Sequence, residues 1–298
     1  YVINVGPQHP ATHGVLRFRV SLEGEIIKKL DVHCGYIHRG IEKMCEELTY
    51  PQTLALTDRL DYLGASQNRH ALCMCIEKGL GVEVPERVQY IRTIMDELQR
   101  IDSHLLFFAC LCMDMGALTA FFYGFRDREK VLDILEQTTG GRLIQTYNTI
   151  GGVQADIHPD FVRKVKEFIA YMRPVLREYH EIFTGNVIAQ ERLKGTGVLT
   201  REDAISFGAT GGTGRAAGWA CDVRKRHPYA VYGKVDFEEV LFTEGDCLAR
   251  YMVRMREIEQ SMHIIEQLID NIPEGEYQLK MKPVIRIPEG SYYAAVEG

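Results

Sequence analysis

Two histidines four residues apart, His9 and His13, stand in the stretch "VGPQHPATHGVLRFRV", fenced by Pro7, Pro10 and Gly14. On a helix that spacing could place both imidazoles on one metal ion. Pro10 and Gly14 disfavour the helix, since proline has no N–H to donate and glycine loosens the backbone. The pair is therefore expected in a loop entering a β-hairpin, or at an early hairpin tip. Other uncommon groupings follow. "TDRLDY" (57–62) puts Asp58, Arg59, Asp61 and Tyr62 at the beginning of a helix, "HRG" (38–40) sets Arg39 beside a helix entrance, and Asp114 closes the apolar run "LLFFACLCM". Each also fits a structural role, as a cap, a solvated charge or a satisfied core histidine, and spacing alone does not bring them together.

The cysteines give no metal site. "CMC" (Cys73, Cys75) and "CLC" (Cys110, Cys112) lack the two-residue gap of a zinc ribbon or redox motif, and residues two apart on a helix face different ways. They read as small buried hydrophobes. "GGTG" at 211–214 lacks the lysine-serine ending of a phosphate loop and reads as a structural turn.

The elements that must position these groups are legible in period. Leu16, Phe18, Val20 and Leu22 alternate with Arg17, Arg19, Ser21 and Glu23, which predicts a strand; Gly24 allows a tight turn, and "EIIKKLDVH" returns as a second strand. From Gly40 the period becomes helical. Pro51 opens a helix expected to run through "LTDRLDYLGASQNRHALCMCIEKGLG", and Pro85 opens another through Met113. In the latter, Val88, Ile91, Met95, Leu98, Ile101 and Leu105 make an apolar stripe with Arg87, Glu97 and Arg100 outside it. Further helices fit about 126–139, 159–184 and 242–271, and "TRED" at 200–203 has the form of a helix start. The fold class is α+β: a small N-terminal antiparallel β lobe (1–36) packed on a long-helix bundle (37–272), with 273–298 beginning a further, truncated C-terminal lobe. "SYYAAVEG" reads as a strand just begun, so the natural chain is expected to continue.

With 298 residues, 46% hydrophobic and 26% charged, the chain can bury a large core, and a net charge of −6 argues against nucleic acid as a partner. Eight cysteines and no apolar N-terminal signal segment fit a reducing compartment and free thiols. The longest apolar run is about half what a membrane span requires. Work at a membrane would then be by docking.

"GPQHPATHGVLR", "HRGIEK", "TYPQTLALTDRLDY", "MDMGALTAFFYGFRDREK" and "CDVRKRHPYAVY" together resemble, in order from about Val5 to the last residue, the quinone-site subunit of respiratory complex I. This is the D or 49-kilodalton type of the proton-pumping NADH:quinone oxidoreductase, which shares its fold with the large subunit of nickel–iron hydrogenases. The resemblance implies a peripheral subunit on the cytoplasmic side of a bacterial inner membrane, or the matrix or stroma side in an organelle. It would be inactive alone, and its partners would be the terminal-cluster subunit, the C-type subunit and the membrane-arm heel subunit. It would hold no metal or cofactor of its own. Its substrate would be quinone, reduced by electrons from a 4Fe-4S cluster on the adjacent subunit. The resemblance further implies that the loop with His9, His13 and Gly14 reaches the quinone, that His13 and Tyr62 hydrogen-bond its headgroup and donate protons, that Asp114 pairs with His13, and that Arg39 and Arg59 lie near the cluster.

Two electrons and two protons make quinol, and the protons need donors within hydrogen-bond reach. Histidine titrates near neutral pH and a neighbouring carboxylate favours its charged form, while a buried phenol can donate and be reprotonated. One departure stands out. In "GRLIQTYNTIGGV" Ile144 stands where the family carries a histidine bonded to the cluster, and Thr149 where it carries an arginine. This predicts a lower, pH-insensitive cluster potential, suited to a low-potential quinone such as menaquinone. Two alternatives stay open: a ferredoxin- or deazaflavin-fed complex, and a membrane-bound hydrogenase. The hydrogenase needs two Cys-x-x-Cys pairs, and no cysteine lies between Cys45 and Cys73 where the first belongs.

Overall fold

Alternating side chains at the N-terminus build the expected antiparallel sheet. In the computed structural model, which describes residues 1–9, 14–282 and 284–298, β1 (Val2–Val5), β4 (Arg17–Glu23) and β5 (Ile26–His33) pair in the order β1-β4-β5. Val5 opposes Phe18, and Glu23 opposes Ile26 across the two-residue turn Gly24–Glu25, where Gly24 takes φ 63°. Between β1 and β4 the chain makes a second ladder, β2 (Gln8–His9) with β3 (Gly14–Val15), His9 opposite Gly14. Gly6 takes φ 88° where a Cβ would lie 1.9 Å from the Leu16 carbonyl oxygen, so no side chain fits. The short helix α1 (Ile41–Glu47) completes a first compact unit, Tyr1–Leu48.

The second unit, Thr49–Gly298, is helical. It comprises α2 (Tyr50–Thr57), α3 (Ala65–Leu80), α4 (Glu86–Asp114), α5 (Leu118–Thr139), the minimal hairpin β6 (Asn148–Thr149) and β7 (Gly152–Val153), α6 (Phe161–Tyr179), α7 (Val187–Leu193), α8 (Arg201–Ser206), α9 (Gly211–Ala216), α10 (Val223–Arg226) and α11 (Cys247–Leu268). The core lies where α4 meets α5 and α11, with Phe108 stacked on Tyr179 at 4.1 Å between ring centres. Gly124 of α5 permits the closest approach, since a Cβ there would stand 2.8 Å from Ala109 Cβ and 3.2 Å from the Leu105 carbonyl oxygen. Among the described residues no helix is long and apolar enough to cross a membrane.

Five expectations change. The helix expected from Pro51 to Gly81 is broken after Thr57: Asp58 turns inward to the buried Arg69, and Asp61 caps a single 3-10 turn, Tyr62–Gly64. Helix α5 begins at Leu118 rather than near 126, and "GGTG" starts the short helix α9 rather than a turn. Glu97 and Arg100, expected on the solvent face of α4, are 0% and 2% exposed. Their charges are met by partners far along the chain. Glu97 accepts from Tyr232 (2.6 Å), Ser261 (2.6 Å) and Arg224 (3.0 Å), and Arg100 donates to the carbonyls of Glu297 and Gly298. "SYYAAVEG" forms no strand. It lies along α3, where Cys75 Sγ and Lys78 Nζ donate to the carbonyls of Tyr292 and Tyr293, and Arg215 holds the buried Glu297 carboxylate.

Candidate functional site

The turn carrying Tyr62 is fixed on both sides of that residue. Asp61 Oδ1 accepts the Leu63 N–H at 3.0 Å, an N-cap bond that starts the 3-10 turn. The Asp61 carbonyl in turn receives Asn68 Nδ2 at 2.9 Å, and the Leu63 carbonyl receives Gln99 Nε2 of α4 at 3.0 Å. Tyr62 itself stands 49% exposed. Just before it, Asp58 is buried against Arg69 Nη1 at 2.8 Å, and the same guanidinium bonds the carbonyls of Leu54 and Asn148. Burial pushes the Asp58 carboxyl up, against the opposing pull of Arg69 and Arg59. Arg59 is exposed, and its guanidinium is held by Nη1 donating to the Ala55 carbonyl at 2.8 Å.

From this turn one face of α4 descends to Asp114. Gln99, Asp102, Cys110 and Asp114 recur at helical spacing and fall within about 120° of one another around the axis. Gln99 Nε2 also donates to Asp102 Oδ2 at 3.1 Å, and Arg128 of α5 sits against the same carboxylate, Nε 2.9 Å from Oδ1. Burial holds the Asp102 carboxyl up at about 6 despite Arg128. Burial raises the Cys110 thiol too, with Asp114 adding to the rise and Arg128 opposing it. Asp114 is the last residue of α4 and is exposed. Just beyond it a pocket of about 210 Å³ is lined by Met115, Ala117, Phe183, Ile188 and neighbours, with Leu118, Phe122 and Val187 exposed nearby in sequence.

Of the residues expected from sequence, Arg59, Tyr62 and Asp114 lie in the second unit. His9, Gly14 and Arg39 lie in the first, where His9 and Gly14 face each other across a ladder and Arg39 is exposed ahead of Gly40. His13 lies outside the described residues. Sequence reading missed Gln99, Asp102 and Arg128. Their signal was present as polar side chains at inward positions of a mostly apolar helix. Among the described residues no group of three or more histidine, cysteine, aspartate or glutamate side chains could hold a metal ion. The eight thiols are free, and Cys73, Cys112 and Cys221 are buried.

The family described as respiratory-chain NADH dehydrogenase, 49 Kd subunit, matches residues 114–298. Over its whole length the chain is 88% identical to the C/D subunit of the NADH-quinone oxidoreductase of Phocaeicola vulgatus and covers 57% of that protein. The D subunit of the Geobacillus kaustophilus NADH-quinone oxidoreductase is 44% identical over 99% of the chain, which covers 81% of that relative. The chain thus spans little more than half the length of its C/D relatives. Among solved structures, a chain of the membrane-bound sulfane sulfur reductase, an archaeal respiratory membrane complex, matches with a TM-score of 0.95 and 36% identity, covering all of this chain and 81% of that one.

Proposed function

The chain belongs to the 49-kilodalton subunit family of the respiratory-chain NADH dehydrogenases, and we propose that it forms the quinone-reducing site of a proton-translocating NADH:quinone oxidoreductase. The observation that carries this reading is the presentation of Tyr62. A half-exposed phenol stands on a turn capped by Asp61 and tied to α4, on the helix face that ends at Asp114. A proton donor must meet its acceptor within about 3 Å, and a braced turn supplies that precision.

In this reading, two electrons from the partner's 4Fe-4S cluster and two protons convert quinone to quinol. Tyr62 gives one proton to one carbonyl oxygen and His13 gives the other to the second. Asp114 favours the charged form of His13 and helps to restore its proton. Arg59 and Arg39 face the cluster as cations and stabilise its reduced state. The apolar pocket and rim next to Asp114 support a quinone tail or a membrane-arm neighbour as the adjoining surface. Exposed Ile26, Ile27, Leu30 and Val32 on β5 support burial of that strand by another subunit. The partners are the terminal-cluster subunit, a C-type domain and the membrane-arm heel subunit, with the chain peripheral on the cytoplasmic side of the inner membrane. The fold neighbour named as a sulfane sulfur reductase shows that this architecture also serves a complex named for another substrate, so the assignment rests on the residues rather than on the fold.

The test is quinone reduction by the assembled complex carrying Tyr62→Phe, His13→Ala or Asp114→Asn, with oxidation of the donor by an artificial acceptor as the control. Loss of a positioned proton donor should lower the rate by about 100-fold or more while the control reaction persists. Wild-type quinone turnover in all three variants would end the proposal.

A further inference from the structure

We propose that Gln99 and Asp102 are positioning residues for Tyr62: the Gln99 amide ties the Leu63 carbonyl to the Asp102 carboxylate, so the charge on Asp102 governs how the Tyr62 turn is held. The inference rests on the reading of Tyr62 as a proton donor and adds a regulation of it.

Gln99 and Asp102 are both 0% exposed, and the two protons of one amide serve two acceptors, Leu63 at 3.0 Å and Asp102 Oδ2 at 3.1 Å. Gln99 Oε1 is buried without a hydrogen-bond partner among the described residues. The amide is therefore oriented by what its nitrogen meets. Turned over, it would press an oxygen against a carbonyl and a carboxylate. The carboxylate's half of that argument holds only while Asp102 is ionised. A protonated Asp102 offers an O–H to the unsatisfied Oε1, and rotation of the amide to accept it draws Nε2 away from Leu63. The residue after Tyr62 then loses its tie to α4.

Asp102 is faced by Arg128 and Glu129 from α5, by the Gln99 amide from α4 itself and by the Leu63 carbonyl beyond that amide. Arg128 meets this carboxylate through one hydrogen bond, Nη2 to Oδ2 at 3.2 Å, while its Nε and Asp102 Oδ1, 2.9 Å apart, form none. Desolvation is the largest influence on this carboxyl and brings its titration to about 6, against the opposing pull of Arg128. Falling pH ordinarily favours a reaction that consumes protons. Here it should also release the donor's turn, so turnover drops on the acid side.

The experiment measures quinone reduction by the assembled complex from pH 5 to 8, for wild type, Gln99→Leu, Asp102→Asn and Tyr62→Phe. Gln99→Leu should lower kcat by about 10- to 100-fold, the loss associated with misplacing a reacting group by roughly 1 Å, with KM within about twofold. Asp102→Asn should abolish the acid limb centred near pH 6 that wild type shows. A wild type without that limb, or an Asp102→Asn complex that keeps it, overturns the proposal. So does Gln99→Leu with unchanged kcat. If Gln99→Leu fails to assemble, the Asp102→Asn profile decides alone. Tyr62→Phe separates the two levels. Full activity in that variant removes Tyr62 as a proton donor and this inference with it, whereas its inactivity beside unaltered Gln99 and Asp102 variants removes only the inference.

Discussion

Replacing Glu97 by glutamine tests whether buried charge holds the helical unit together. The carboxylate is 0% exposed and receives Tyr232, Ser261, Arg224 and Arg100. Burial alone would push this carboxyl up. Arg100 and Arg224, with hydrogen bonds from Ser261 and Tyr232, outweigh burial and hold it down at about 2, from an ordinary 4.5. At 1.36 kcal/mol for each pH unit, that preference for the ionised form is worth about 3 kcal/mol. Glutamine has the shape of the neutral acid and turns one acceptor into a donor that faces arginines. The expected loss at pH 7 is therefore about 3 kcal/mol, at the low end of what breaking a buried ion pair costs.

The sign in pH follows from a folded-state titration that lies below the unfolded one. The contribution is complete above about 4.5 and is lost as pH falls through about 2. Calorimetric melts of wild type and Glu97→Gln should differ by roughly 6 °C at pH 7, taking roughly 2 °C for each kcal/mol in a chain of this size. The gap should shrink to roughly half by pH 3. A loss due only to altered packing would not depend on pH. A difference below about 1 kcal/mol at pH 7, or one that stays constant down to pH 3, would refute the electrostatic reasoning.

Two further outcomes are expected. Gly124→Ala places a methyl 2.8 Å from Ala109 Cβ at the α4–α5 crossing and should destabilise the chain by about 1–3 kcal/mol, read from urea unfolding; an unchanged midpoint would mean that the two helices separate at little cost. On the proposed reading, in which half-buried Ile144 replaces the histidine that the resemblance implies, the midpoint potential of the partner's cluster in the assembled complex should stay flat between pH 6 and 8, and a slope approaching the one-electron, one-proton value of about 59 mV for each pH unit in a redox titration would contradict that.

Some of this architecture can be read along the chain because its causes are local. The alternation from Leu16 to Glu23 and the turn glycine Gly24 lie within a few residues of the contacts that they specify, and β4 pairs with β5 across that turn. Pro85 announces α4 for the same reason. What could not be read has causes distant in sequence. Glu97 looks like a solvent-facing charge until Arg224, 127 residues away, comes to meet it, and the helix expected through "TDRLDY" breaks because Asp58 finds Arg69. Tyr62 and Asp114 were joined into one site by resemblance, since a tyrosine and an aspartate 52 positions apart carry no periodic signal. Gln99 and Asp102 were overlooked for the opposite reason, because they sit within a strong pattern and pass for its polar side. Yet a helix whose stripe from Val88 to Leu105 is fully buried, in a chain large enough to surround it, has little solvent left to offer its other faces. In "MDELQRIDSHLL" the acidic, amide and basic side chains therefore needed partners on other elements, and that demand, rather than any motif, marked α4 as the helix against which a functional turn could be fixed.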